Sequence, residues 1–276
     1  MPSLVCAGFY TCKGEIIGTV QAYKVKEGES LIETARKFGL GYNEIIDANS
    51  GLDPFVPGCD ASIKIPTAWI LPNVSRHDSV VINLSEMRLY YFFKYRGSHL
   101  VVTFPIGIGA QGTDTPTGSF RVVGKVGNPT WYVPDSIIKN YPYLPRQVPP
   151  GKDNPLGSHA LRLSREDILI HGTNKPWGIG RKLSHGCIRL YPEDIPELFR
   201  LVPIGANVII LRQPVKVGVK NNRVYIEVHK DGGQDIDMLN EAIRLLSKER
   251  LLQKVSTEKL FHALREQSGM PVDITH

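Results

Sequence analysis

The run Ser184-His185-Gly186-Cys187-Ile188-Arg189-Leu190 places an imidazole, a thiol and a guanidinium close together, and His171-Gly172-Thr173 lies a short way upstream. A cysteine thiol with its unperturbed pKa of about 8.5 is only slightly ionised at neutral pH, so it needs a base to become a good nucleophile. An imidazole within hydrogen-bond reach supplies that base, and as imidazolium it stabilises the thiolate. Gly186, directly before Cys187, permits close backbone approach, so amide N–H groups there can face a developing oxyanion. These residue types point to acyl transfer through a thioester. A lone cysteine with a histidine is more commonly a small buried hydrophobe; the dense run with its upstream His-Gly-Thr is far more specific.

Such a pair needs a rigid frame. Asp167-Ile-Leu-Ile170 reads as a strand that delivers His171, after which a glycine-rich turn returns the chain to the cysteine run. Further β-type segments are Ser79–Leu84, Arg88–Phe93, His99–Phe104, Gly118–Val123 and Asn207–Leu211. Many short strands separated by Gly and Pro imply a mainly β domain, a sandwich or barrel-like core. A helix is expected from Glu193 to Leu201. The irregular stretch from Gly127 to Ser158 carries Trp131, Tyr132, Tyr141 and Tyr143 among its prolines. Loops of such length are usually functional or disordered, and we read this one as a lid beside the site. The competing reading is a surface wrap with buried aromatics.

Ahead of this domain, Gln21 to Pro66 follows the order strand, helix, helix, strand. The first helix is opened by Ser30, carries Leu31, Ala35 and Phe38 at helical spacing, and stops at Gly39. The second runs from Tyr42 to Ala48 with Ile45 and Ile46 inward, and Pro57-Gly58 turns the chain into Ser62–Pro66. Trp69 to Arg76 reads as a linker. Behind the β domain, a strand pair is expected around Val217–Val219 and Val224–Val228, then two amphipathic helices. Asp235 would cap the first, with Leu239, Ala242, Ile243 and Leu246 inward. Ser256 or Thr257 would cap the second, with Leu260, Phe261 and Leu264 inward.

Two resemblances add to this. Tyr23-Lys-Val-Lys-Glu-Gly-Glu-Ser-Leu31, Ala35-Arg-Lys-Phe38, Ile46-Asp-Ala-Asn49 and Val56-Pro-Gly58 before Ile63-Lys-Ile-Pro66 resemble a LysM domain, which implies binding to the N-acetylglucosamine-containing glycan of peptidoglycan. The His171 and Ser184–Cys187 motifs, with Phe104-Pro-Ile-Gly-Ile-Gly109, Thr115-Pro-Thr-Gly118 and Asn154-Pro-Leu-Gly157, resemble the YkuD-type catalytic domain of L,D-transpeptidases. That resemblance implies Cys187 as nucleophile and His171 as general base, its ring oriented by the Gly172 carbonyl. The backbone of His185, Gly186 and Cys187 would line the oxyanion hole, while Ser184 and the His185 side chain hold the loop. Arg189 would steady the nucleophile loop or meet a substrate carboxylate, against a competing role in a structural ion pair.

The activity so implied acts on peptidoglycan tetrapeptide stems. Cys187 attacks the third-residue carbonyl, D-Ala leaves, and the thioester passes to an amine. The acceptor would be a second stem, giving a 3-3 crosslink, or an envelope lipoprotein; water would make the enzyme a carboxypeptidase. No metal or organic cofactor is expected, and acylation by carbapenems is. Two other readings compete: a cell-wall cysteine peptidase, whose papain-like members place Cys before His, and a non-enzymatic glycan-binding protein, which leaves the Cys-His cluster without purpose.

The organisation expected is a lead segment at 1–20, a LysM-like α+β module at 21–68, the catalytic domain at 76–215 and a largely helical extension at 216–276. The chain of 276 residues, 42% hydrophobic and 22% charged, has globular composition with length for several cores. Its net charge of +6 is scattered rather than gathered into a basic stripe, which argues against nucleic acid. No apolar run is long enough for a transmembrane helix. The four cysteines, Cys6, Cys12, Cys59 and Cys187, lack zinc-site spacing, and a Cys12–Cys59 bridge stays open. Leu4 to Ala7 is too short for a signal peptide, though Val5-Cys6-Ala7 has the spacing of a cleavage site. The substrate nevertheless places the protein in the periplasm or at the wall.

Overall fold

The computed structural model describes residues 8–74, 78–231 and 236–276. The Val5–Ala7 cleavage spacing, Cys6, His77, Asp235 and part of the expected linker lie outside these residues.

Residues 21–65 form the expected strand, helix, helix and strand. Gln21–Lys24 pairs antiparallel with Ser62–Ile65, and the helices Leu31–Lys37 and Tyr42–Ala48 lie between them in sequence. Ser30 caps the first helix in a reciprocal capping box with Glu33, satisfying two amides that the first turn leaves without carbonyl partners. Gly39 adopts φ +64, the left-handed stop that a side chain disfavours. Leu31, Ala35, Leu40, Ile45, Ile63 and Ile65 make the module's core, with Phe38 and Ile46 only partly buried beside it.

The main domain is a nine-stranded sheet. Its order is Phe9–Thr11, Ser98–Pro105, Arg88–Tyr95, Ser79–Asn83, Asn207–Leu211, Gly118–Gly127, His159–Leu163, Leu169–His171 and Ile188–Arg189. Two of its pairings are parallel, Asn207–Leu211 on Ser79–Asn83 and Leu169–His171 on Ile188–Arg189. The Gly118–Gly127 strand turns the corner: its first half pairs with Asn207–Ile210, its second with His159–Leu163, and the register slips between Val122 and Gly124. Such a bulge bends a strand and curls the sheet.

Alternation along these strands sends side chains into two cores. Val80, Ile82, Leu89, Tyr91, Val102 and Phe104 face the main domain's own core, which Ile195, Leu198 and Val202 also enter. Val81, Tyr90, Phe92 and Val101 face the other way, into the core of the N-terminal module. Burial on both faces explains why the strand segments read as nearly continuous apolar runs. The expected linker begins inside this second core. Ala68–Ile70 is a strand paired with Ile16–Gly18, and Trp69, Ile70 and Leu71 are buried, because an apolar Trp-Ile-Leu run gains more by packing than by spanning solvent. Trp69 donates to Glu44, whose carboxylate also receives two bonds from Arg88, so a buried ion pair stitches module to sheet.

The extension has its own core. Val215–Lys220 and Arg223–Val228 form the expected hairpin, joined by Val272–Asp273, and pack against the helices Met238–Lys248 and Thr257–Glu266. Asp237 and Ser256 are the helix caps. Two inward assignments are corrected: Ile243 and Phe261 are exposed, and Leu245 and Ala263 are buried instead. Each helix presents a narrow stripe to the hairpin, Ala242-Leu245-Leu246 and Leu260-Ala263-Leu264, which leaves those two positions outside. Lys216 sits between Glu86 and Glu227 at 2.7 and 2.8 Å, and Glu227 also holds His229, so a buried charge cluster ties the extension to the main domain. The helix expected from Glu193 starts at Ile195, because residues 191–194 form a turn closed by the Asp194 amide on the Tyr191 carbonyl. Among the described residues no helix is long and apolar enough to cross a membrane. Cys59 is an exposed free thiol, so the Cys12–Cys59 bridge is not formed.

Candidate active site

One face of the curled sheet is hydrophobic and buried, and the opposite face of its last strands forms a cavity floor. Ile170 is in register with Ile188, and both enter the core; the alternate residues Leu169, His171, Cys187 and Arg189 therefore share the other face. On the neighbouring strand Ala160 pairs with His171 and Arg162 with Leu169, which adds both to that face. All of these line one cavity of about 410 Å³, with Ser184 and His185 also in its lining. The thiol and the earlier imidazole thus open into one space, on adjacent strands.

His171 is buried, and its Nδ1 lies 2.6 Å from the Gly172 carbonyl. A carbonyl only accepts, so Nδ1 carries the proton and Nε2 is the basic nitrogen. Burial pushes the imidazole pKa down to about 4, the Arg189 charge pushes in the same direction, and backbone bonds to Gly172 and Leu156 partly oppose them. His171 is therefore neutral at pH 7. Burial raises the Cys187 pKa, against the lowering effects of a backbone hydrogen bond from Leu169 and the Arg189 charge. The thiol donates to the Asp167 carbonyl at 3.7 Å, and no hydrogen bond joins it to His171. The resting pair is a neutral thiol beside a neutral base, and catalytic hydrogen bonds often tighten only with substrate present.

The turn before Cys187 is fixed by its carbonyls. Gly186 has φ +96, open to glycine and costly for other residues. The Ser184 carbonyl accepts from the Ala110 amide at 2.8 Å and from Thr113 Oγ1 at 3.1 Å. The Gly186 carbonyl accepts from Thr115 Oγ1 at 2.9 Å, and the Cys187 carbonyl from Ser184 Oγ at 2.5 Å. A peptide is planar, so pinning the carbonyls of Ser184 and Gly186 orients the amides of His185 and Cys187 the opposite way. The amides of His185, Gly186 and Cys187 have no acceptor among the described residues. Thr113 and Thr115 had no assigned role in the sequence; Thr115 opens the Thr115-Pro-Thr-Gly118 motif and Thr113 lies just before it, and only folding shows which carbonyls they hold.

Ser184 is buried and holds the loop, whereas the His185 side chain is exposed and makes no hydrogen bond among the described residues. Arg189 forms no ion pair there either; its Nε is buried without a partner, and burial lowers its pKa. The structural ion-pair reading is thereby set aside. His159 lies outside the cavity, bonded to Ser158 and packed on Phe199.

Gly127–Ser158 forms the opposite wall, supplying Pro129 to Tyr132, Pro134, Ile137, Pro155 and Leu156. It contains a small hairpin of Trp131–Tyr132 with Gln147–Val148 and a helix Asp135–Asn140. Tyr132, Tyr141 and Tyr143 are exposed, which corrects the alternative of a wrap with buried aromatics. Asn154, fully buried, gathers its two arms: Nδ2 donates to the carbonyls of Pro129, Val148 and Pro149, and Oδ1 accepts from Leu156 N. Gly157 lets the segment return against His171-Gly172-Thr173, since a Cβ there would stand 2.8 Å from the Thr173 amide.

A walled cavity on a curled sheet, holding a thiol, an imidazole and a guanidinium, is an enzyme site attached to a small βααβ module. The L,D-transpeptidase catalytic domain model matches residues 77–210, and the LysM domain model matches residues 23–54. The chain is 38% identical to Probable L,D-transpeptidase YcfS of Escherichia coli K12, over 90% of this chain and 81% of that protein. It is 36% identical to Probable L,D-transpeptidase YbiS of the same organism, over 93% and 88%. The 32% identity to Putative L,D-transpeptidase YkuD of Bacillus licheniformis spans 68% of this chain and 97% of that protein. The chain belongs to the L,D-transpeptidase family and carries a LysM domain.

Proposed function

We propose that Cys187 attacks the third-residue carbonyl of a peptidoglycan tetrapeptide stem, with His171 as general base and then general acid. Proton transfer from thiol to imidazole accompanies attack, because the neutral resting pair keeps the thiolate scarce. The oxyanion then meets the amides of His185, Gly186 and Cys187, which have no acceptor among the described residues. His171 returns the proton to the departing D-Ala amine, leaving a thioester on Cys187. An acceptor amine, deprotonated by His171, resolves the thioester and frees the thiol.

The single observation that carries this reading is the shared cavity face of Cys187 and His171, with the Gly172 carbonyl fixing Nε2 as the basic nitrogen. The acceptor is a second stem, giving a 3-3 crosslink, or an envelope lipoprotein, which anchors protein to the wall. The LysM module holds the glycan strand, and the site of action is the bacterial periplasm or wall. Incubation with disaccharide tetrapeptide, followed by chromatography and intact-protein mass spectrometry, tests the scheme. D-Ala release with a thioester on wild-type Cys187 and none on Cys187→Ala is expected. Turnover by Cys187→Ala, or wild-type activity in His171→Ala, refutes it.

A further inference from the structure

The cavity contains a charged pair that the mechanism does not use. Arg162, near the end of its strand, and Glu166, in the turn that follows, both line the cavity and are exposed, and neither forms an ion pair among the described residues. Their neighbours at this hairpin do pair: Arg165 binds Asp167 at 2.8 Å and thereby removes the other nearby acid from competition. A cation and an anion facing one space without neutralising each other suit a ligand that is itself a zwitterion.

The sheet register places this pair relative to the nucleophile. Arg162 is in register with Leu169, and Leu169 precedes the Ile170–Ile188 pair, so Arg162, Leu169 and Cys187 form one row across three strands. With strands about 4.8 Å apart, Arg162 Cα lies about 10 Å from Cys187 Cα on the same face. A stem residue that acylates Cys187 through its main-chain carbonyl, and bears a side chain four bonds long, carries the far end of that side chain about 5 Å from its own α-carbon. The Arg162 side chain, whose stem rests beside Gly124 on the next strand and which forms no ion pair among the described residues, has the length to cover the remainder when a ligand is bound. An acceptor amine does not fit this place, since it must reach the thioester carbon itself.

The geometry points to Arg162 and Glu166 as a clamp for a zwitterionic α-amino-acid end on the side chain of the donor's third residue, with Arg162 taking its carboxylate and Glu166 its ammonium. This inference rests on the proposed stem-cleaving function and specifies its donor. Diaminopimelate carries such an end; lysine carries the ammonium alone. The two residues are therefore specificity determinants for the donor stem, separate from the Cys187-His171 chemistry.

The test is D-Ala release from four tetrapeptide stems whose third residue is diaminopimelate, its side-chain carboxamide, its side-chain N-acetyl derivative, or lysine. Ratios of kcat/KM between stems cancel any difference in the amount of active enzyme. The wild type is expected to prefer free diaminopimelate over the carboxamide and over lysine by about tenfold or more, as one charge-assisted contact implies. Arg162→Gln should bring both ratios close to one, mainly through KM, while keeping the preference for the free amine over its N-acetyl form. Glu166→Gln should do the converse. Ratios that stay at their wild-type values in both variants, or a wild type that releases D-Ala from all four stems equally, overturn the clamp alone. Release from none of the four overturns the stem-cleaving function and the clamp with it.

Discussion

Replacing Arg189 with Gln isolates the electrostatics of the proposed nucleophile, Cys187. Cys187 directly precedes the strand Ile188–Arg189 and by alternation shares a face with Arg189, which sets their Cα atoms about 6.5 Å apart. At an effective dielectric constant of about 20, a unit charge at about that separation is worth at most about 2.5 kcal/mol to a thiolate, and the Leu169 hydrogen bond lowers the Cys187 pKa more than the Arg189 charge does. The sign follows directly: a cation favours the anionic thiolate, so its removal raises a Cys187 pKa that burial already holds high. Below that pKa the thiolate fraction falls when the charge is lost, while the more basic sulfur recovers part of the rate through its nucleophilicity, at a Brønsted slope near 0.45. Alkylation of Cys187 by iodoacetamide at pH 8 should therefore slow in Arg189→Gln, by up to about tenfold, and little in Arg189→Lys. Mass spectrometry of the Cys187 peptide separates this signal from the exposed Cys59 thiol. The same removal raises the His171 pKa from about 4, since Arg189 also depresses it, so the acid limb of the turnover profile should move up in parallel. An alkylation profile that does not move refutes the electrostatic account.

Four further outcomes follow from the packing. Thr115→Val removes the donor to the Gly186 carbonyl and should lower kcat by about ten- to a hundredfold with little change in KM, measured as D-Ala release. Asn154→Ala leaves three carbonyls of the cavity wall without their donor, and should raise KM for stems and speed proteolysis between residues 129 and 150. Glu44→Ala strands the Arg88 guanidinium between module and sheet and should cost about 3–5 kcal/mol in denaturant unfolding. Asp194 is buried with its pKa raised to about 7, so the folded state binds its proton more tightly than the unfolded chain does, and its cost to stability grows as pH rises from the unfolded value to about 7. Asp194→Asn should raise the melting temperature, more at pH 8 than at pH 4.

The candidate site was legible from adjacency. Gly186, Cys187 and Arg189 are neighbours in the chain, and His171 ends a recognisable strand, so residue type and order pointed to the site before any fold was known. The module at 21–65 was legible for a related reason: its caps, periodicity and turns are local, and Ser30, Gly39 and Tyr42–Ala48 act within their own helices. Trp69 was misjudged because a linker and a buried strand differ only in what lies opposite, and here that is Glu44 and Arg88, each some twenty residues away. Ile243 and Phe261 were misjudged because an apolar residue at the edge of a helical stripe is buried or exposed according to the width of the partner surface.

What the amino-acid order alone determined was therefore the set of reactive groups, the local elements and the family to which they point. What tertiary structure decided was everything that joins distant residues. Thr113 and Thr115 turn the amides of the loop before Cys187, Asn154 gathers the cavity wall, and Arg162 and Glu166 come to line the cavity that holds the thiol. The physical reason is the range of the interactions. Dihedral preference and periodicity act over a few residues, whereas a hydrogen bond or a cavity depends on strand register, and a one-residue slip would send every one of these side chains to the opposite face.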